Sequence, residues 1–179
     1  MSLSVGTTHG SGPEQEITPE GAHTLFHSLG LPAGWELFDL GSGLGKLVVQ
    51  VHLDPELDAA RVLGVELAGT RHAAAVEVLA ELNRLVSAGE VARPAGKIEL
   101  IQGDMLRTVF DVAPGTNVVV YLGSLCFDAE FMAKLGNVVA AESCVQTVLT
   151  LQTFADGLAG FSLVRTAKAD MTWRKGQPV

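Results

Sequence analysis

The chain has 179 residues, 47% of them hydrophobic and 18% charged, with a formal net charge of −8. That length suits one domain, the apolar share excludes disorder over most of it, and a core of this size needs no disulfide or metal staple. The negative balance argues against a free-standing nucleic-acid binder, which needs clustered Lys and Arg to displace counterions, and against an anionic membrane surface as main partner.

Residues 1–16 (MSLSVGTTHGSGPEQE) lack the basic and apolar regions of a signal peptide and read as a flexible lead. Thr18-Pro19-Glu20 then predicts a helix start, with Thr18 as N-cap and Pro19 at the first helical position. The helix runs to about Leu29 and stops at Gly30 and Pro32. His23 and His27 stand i, i+4 on it, a metal-like spacing without a third ligand, so a surface or interhelix role is expected. Glu36–Leu40 is a short apolar strand ending in glycines, and Lys46–Leu53 suits the first turns of a buried helix, ended by Pro55. Arg61–Leu67 is a second strand. Thr70–Ser87 is the clearest helix, with Val76, Leu79, Leu82 and Val86 on one face.

Lys97–Gln102 and Thr116–Leu122 are a third and a fourth strand. Asp128–Ala140 is a helix, Cys144–Phe154 a fifth strand, and Phe161–Trp173 a final extended segment. Cys126 and Cys144 both lie in apolar runs, which predicts buried, reduced thiols and a cytosolic-type compartment. Apolar stretches such as Val118–Phe127 are too short to span a membrane. Charge is uneven: residues 1–60 hold eight acids and one base, Lys46, while 161–179 hold four bases and one acid.

Strands and helices alternate, and the strands are continuous Val/Ile/Leu runs. Such runs mean burial on both faces, hence a mostly parallel sheet with helices above and below: a doubly wound α/β fold. In that architecture a ligand sits at the carboxyl ends of the strands, where strand order switches.

The segment Phe38-Asp39-Leu40-Gly41-Ser42-Gly43-Leu44-Gly45-Lys46 falls at such a position. Its glycines let the backbone turn tightly and a ligand approach the peptide groups, beside the open N–H groups of the next helix. A phosphate-cradling loop needs G-x-x-x-x-G-K-[ST]; Gly41 to Gly45 is one residue short, and Leu47 replaces the hydroxyl residue. A dinucleotide fingerprint needs glycine where Lys46 stands. The match is G-x-G-x-G preceded by an acid, Asp39. Glu66, 21 residues beyond Gly45, ends the second strand, where a carboxylate can accept from ribose hydroxyls. Past the third strand, Asp104 can accept from an exocyclic adenine amine while Met105 packs on the ring.

These elements, in this order, resemble the class I methyltransferases that use S-adenosylmethionine, over about Thr18 to Phe154. Within them, FDLGSGLGKLVVQV followed by GVE is similar to the non-SET histone-lysine methyltransferases known as disruptors of telomeric silencing. The resemblance implies a Rossmann-like seven-stranded sheet and one methyltransferase-like domain over 17–179. It implies that Asp39, Gly41, Ser42, Gly43 and Gly45 line the methionine and ribose part of the cofactor. Glu66 would hold the ribose, Leu67 would lie beside the adenine, and Asp104 and Met105 would clasp it.

The family's Asn-Asn-x-x-Phe element is replaced by Tyr121-Leu122-Gly123-Ser124-Leu125-Cys126-Phe127. Tyr121 and Ser124 are the candidates for the rim of the acceptor pocket; no catalytic base stands out, and no metal is expected. Such enzymes end in a two-stranded hairpin, but only one strand fits before Val179. The last strand is missing or supplied from elsewhere, leaving a sheet edge that invites pairing with a second copy. The function expected is methyl transfer to a protein lysine or a small-molecule nucleophile, in the cytoplasm or nucleus. The alternative is a non-catalytic module that binds the cofactor or a partner. A nicotinamide-dependent reductase conflicts with Lys46.

Overall fold

The computed structural model describes residues 2–5 and 16–171. In chain order the elements are β1 (Ser2–Val5), α1 (Pro19–His27), β2 (Glu36–Leu40), α2 (Lys46–Leu53), β3 (Arg61–Glu66), α3 (Gly69–Ser87), β4 (Lys97–Gln102), β5 (Val118–Leu122), α4 (Ala129–Ala140), β6 (Val145–Thr150) and β7 (Leu163–Ala167). Short 3₁₀ turns cover Met105–Arg107 and Ser124–Cys126.

The α1 start forms as its sequence dictates: Thr18 is the N-cap, its hydroxyl accepting from Gly21 N at 3.0 Å, and Pro19 opens the helix. Asp128 caps α4 in the same way, through Phe131 N at 2.8 Å. The strands form one seven-stranded sheet in the order β4-β3-β2-β5-β6-β1-β7, with every pairing parallel. From β2 the chain builds outward through β3 to β4, then returns to the other side of β2 with β5. The order therefore switches between β2 and β5, and a crevice opens at their carboxyl ends.

Side chains alternate across the sheet. On β2 and β5, Leu37, Val119 and Tyr121 pack with Leu25, Phe26, Trp35, Val48 and Val51 of the α1 and α2 side. Phe38, Leu40, Val118, Val120 and Leu122 pack on the opposite face with Leu135 and Val139 of α4. All five residues of β5 are buried, which is why its sequence is an unbroken apolar run. Trp35 is a packing residue, stacked on Phe26 at 5.6 Å between ring centroids and donating to Leu57 O at 2.6 Å.

The sheet is not one strand short. Ser2–Val5, within the stretch read as a flexible lead, lies between β6 and β7 and pairs with both. Its four residues carry too weak a strand signal to read alone, and its place depends on partners about 145–165 positions away. The fifth and last strands are also shorter than expected, and Trp173 lies outside the described residues. Burial of α3 falls on Ala75 and Leu82, with Val76 on the exposed side at 44%. Cys126 is exposed and Cys144 half-buried, so neither is the deeply buried thiol its apolar run suggested.

Candidate active site

Glycine governs the loop after β2. Gly41 has φ +97°, a conformation L side chains avoid, and a Cβ there would lie 3.1 Å from Met105 Cε. The loop is pinned to β3 by Gly41 N and Ser42 N, which both donate to Val65 O at 2.8 and 3.0 Å. Gly64 of β3 makes room for it: a Cβ at that position would sit 2.8 Å from Ser42 Oγ and 2.9 Å from Val48 Cγ2.

A cavity of about 650 Å³ opens above this loop. Asp39, Gly41, Ser42, Gly43, Glu66, Leu67, Met105 and Tyr121 all line it. The structure thus brings together eight of the eleven residues singled out in the sequence. Gly45 is not among them. It has φ +73°, starts α2, and faces Ala75, whose Cβ is 3.2 Å from where its own would be. Asp104 stands beside the lining rather than in it, half-exposed, accepting from Leu106 N at 2.9 Å and so shaping the turn that presents Met105.

Ser124 departs most from expectation. It is fully buried and turned away from the cavity: its Oγ lies 3.0 Å from Thr150 Oγ1 and accepts from Gln152 N at 2.9 Å. Gln152 Nε2 also donates to Ser124 O at 2.7 Å. Ser124 therefore ties the loop after β5 to the end of β6, and it is the residues beyond it, Cys126, Phe127, Asp128 and Phe131, that reach the cavity. Phe127 and Phe131 meet edge to face at 4.9 Å. Glu16, Lys46 and Arg71 also line it. Glu16 is the last residue of the stretch expected to be a flexible lead. Its ion pair with Lys46, at 2.5 Å, joins the chain before α1 to the first residue of α2.

Two buried carboxylates dominate the electrostatics. Asp39 and Glu66 are 3% and 4% exposed. Glu66 accepts from Gly43 N at 2.9 Å and Ala68 N at 2.7 Å, and Arg71 Nη2 lies 3.2 Å from Oε1. Among the described residues no hydrogen bond reaches the Asp39 carboxyl. Burial first, then the charges of Glu66 and Glu16, push its pKa up to about 8. Burial and the Asp39 charge likewise push the Tyr121 hydroxyl up, so it stays protonated and offers no phenolate to act as a base. A buried, unsatisfied acid beside an open cavity calls for a cation, and a buried carboxylate held by backbone amides suits a diol. The ammonium and ribose of S-adenosylmethionine fit that pair.

His23 and His27 lie elsewhere, stacked 5.6 Å apart on α1. His23 Nδ1 is 2.6 Å from Asp54 Oδ2, and His27 Nε2 is 4.0 Å from Glu56. Among the described residues no group of three or more His, Cys, Asp or Glu is placed to hold a metal ion. No helix among them is long and apolar enough to cross a membrane.

This sheet order, with a glycine loop and a buried strand-end acid around its switch-point cavity, defines the Rossmann-like fold of class I methyltransferases. The chain is similar to two crystal structures of the methyltransferase domain of bacterial CtHen1. One matches with 18% identity and a TM-score of 0.55, over 74% of this chain and 65% of that one. The other matches with 17% identity and a TM-score of 0.54, over 74% and 63%. The chain thus spans somewhat less than two thirds of their length, and the likeness is one of fold. No curated protein matches the sequence. The model of the family described as histone methylation protein DOT1 matches residues 14–168. The chain belongs to that family, whose class is the S-adenosylmethionine-dependent methyltransferases.

Proposed function

We propose that the chain transfers a methyl group from S-adenosylmethionine to a nitrogen nucleophile, a protein lysine or a small-molecule amine. The observation that carries this is the placing of Asp39 and Glu66, both buried, on one cavity with the glycine loop. Asp39 would hold the ammonium, Glu66 the ribose, and Leu67 and Met105 the adenine faces, with Asp104 meeting the exocyclic amine. The cofactor supplies an electrophilic methyl group, so the protein's task is alignment, worth several kcal/mol.

Phe127 and Phe131 give the cavity mouth apolar walls that exclude water, and Asp128 and Cys126 give it a polar edge. Tyr121 serves as wall rather than base. The −8 charge speaks against nucleic acid as a direct partner and fits a cytosolic or nuclear setting equally. β7 offers a second copy an edge with Leu163 and Val164 exposed, and sedentary monomers at high concentration in analytical ultracentrifugation would remove that pairing.

The second reading is a module that binds cofactor and transfers nothing. What favours it is the inward-turned Ser124, which leaves the rim without that hydroxyl. Calorimetric titration with S-adenosylmethionine, its demethylated product and NAD tests the binding. Affinity for the first two and none for NAD is expected, and the reverse would refute it. Labelled-methyl transfer to lysine peptides and to small amines then separates enzyme from module.

A further inference from the structure

Two hydrogen bonds and one ion pair converge on the Glu66 carboxylate. The hydrogen bonds come from backbone amides, Gly43 N donating to Oε2 at 2.9 Å and Ala68 N donating to Oε1 at 2.7 Å, and both need the carboxylate held in one orientation. The ion pair is with the Arg71 guanidinium, whose Nη2 lies 3.2 Å from Oε1 and brings the one full positive charge of the three contacts.

Arg71 is badly placed for the helix that carries it. It stands in the first turn of α3, where unpaired N–H groups and the helix dipole favour acids and disfavour a cation. That turn holds no acid, and the N-cap, Ala68, has no side chain able to cap it. The side chain is 60% exposed, so the core does not need it, yet it borders the same cavity as Glu66. A residue that breaks the local rule without serving the core points to the site.

Glu66 also has a reason to need it. Asp39 is a second buried acid on the cavity, and when it ionises the two carboxylates repel one another. The other cation lining the cavity, Lys46, pairs with Glu16. We propose that Arg71 is a positioning residue of the cofactor site: its guanidinium clamps Oε1 so that the Glu66 carboxylate stays turned into the cavity as the acceptor for the ribose. This rests on the methyltransferase reading above. It adds a side chain that touches neither methyl group nor acceptor but sets how well the cofactor is held.

The experiment is a double-mutant cycle read by calorimetric titration with S-adenosylmethionine, using Arg71→Ala, Glu66→Ala and the double variant, with Arg71→Lys and Arg71→Gln beside them. Arg71→Ala should weaken binding about three- to fivefold, as befits an ion pair with one exposed partner. Lys should restore most of the loss and Gln little, kcat should change less than KM, and the melting temperature should hold. In the Glu66→Ala background the same substitution should change nothing. Unchanged affinity in Arg71→Ala, or an equal loss with and without Glu66, overturns the proposal. Amide hydrogen exchange supplies a readout without cofactor: Arg71→Ala should speed exchange at Gly43 and Ala68, and unchanged rates overturn it. If the unaltered protein binds no S-adenosylmethionine, the functional reading falls, while the exchange result still decides whether Arg71 holds Glu66.

Discussion

Replacing Asp39 by Asn separates what the site costs the fold from what it contributes to binding. The Asp39 carboxyl keeps its proton up to about pH 8 in the folded chain, whereas the same group ordinarily releases it near 3.8. Between those values the unfolded state binds fewer protons, so stability falls as pH rises and the loss is complete only above about 8. At pH 7 the gap spans about three pH units, an ionisation cost of about 4 kcal/mol. Asn carries no such term, but its buried amide costs about 1–3 kcal/mol. The variant should therefore gain about 1–3 kcal/mol at pH 7, a rise in melting temperature of roughly 2–12 °C. Its stability should also vary less between pH 5 and 8.

Cofactor binding should move the other way. Loss of a charge-assisted contact to the ammonium, about 1.5–3 kcal/mol, weakens S-adenosylmethionine about 10- to 150-fold. In the unaltered protein a cationic ligand favours the ionised carboxyl, so affinity should climb as pH approaches 8 and level off above it. Denaturation from pH 4 to 9 and titration at several pH values measure both. Asp39→Asn melting no higher than the parent at pH 8, together with unchanged affinity, would refute the reasoning.

Glu66→Ala should weaken the cofactor at least about tenfold in calorimetry, because hydrogen bonds to a charged acceptor disappear. Gly64→Ala should lower stability by about 1–3 kcal/mol in urea unfolding, since the new methyl group meets both Ser42 and Val48 below 3 Å. Ser124→Ala strips Thr150 Oγ1 and Gln152 N of a buried partner. It should cost about 1–3 kcal/mol of stability while leaving cofactor affinity within about twofold, a split that a rim role would reverse.

The central strands could be read from sequence because burial on both faces leaves unbroken Val, Ile and Leu runs, as in Val118–Leu122. The glycine loop could be read because its acid and its positive-φ positions must recur in order along one segment. Ser124 could not: a hydroxyl at a strand end looks the same whether it faces a ligand or Thr150, and the latter lies 26 residues on. Arg71 and Glu16 were hidden for the same reason, their meaning arising from Glu66 and Lys46, which come near only on folding. On α3 the expected stripe holds at Leu79, Leu82 and Val86 and departs only at Val76, because the helix turns the small Ala75 against Gly45 there.

The seat of β1 has a consequence for how the chain is made. Ser2 pairs with Val148 on one side and Leu163 on the other. β1 is thus held by two strands about 145–165 positions further along the chain, and its slot does not exist until Leu163–Ala167 has been made. Contacts this distant in sequence slow folding and leave edges bare meanwhile. The four residues of β1 must therefore wait for β6 and β7, and this end of the sheet closes only when Leu163–Ala167 is in place.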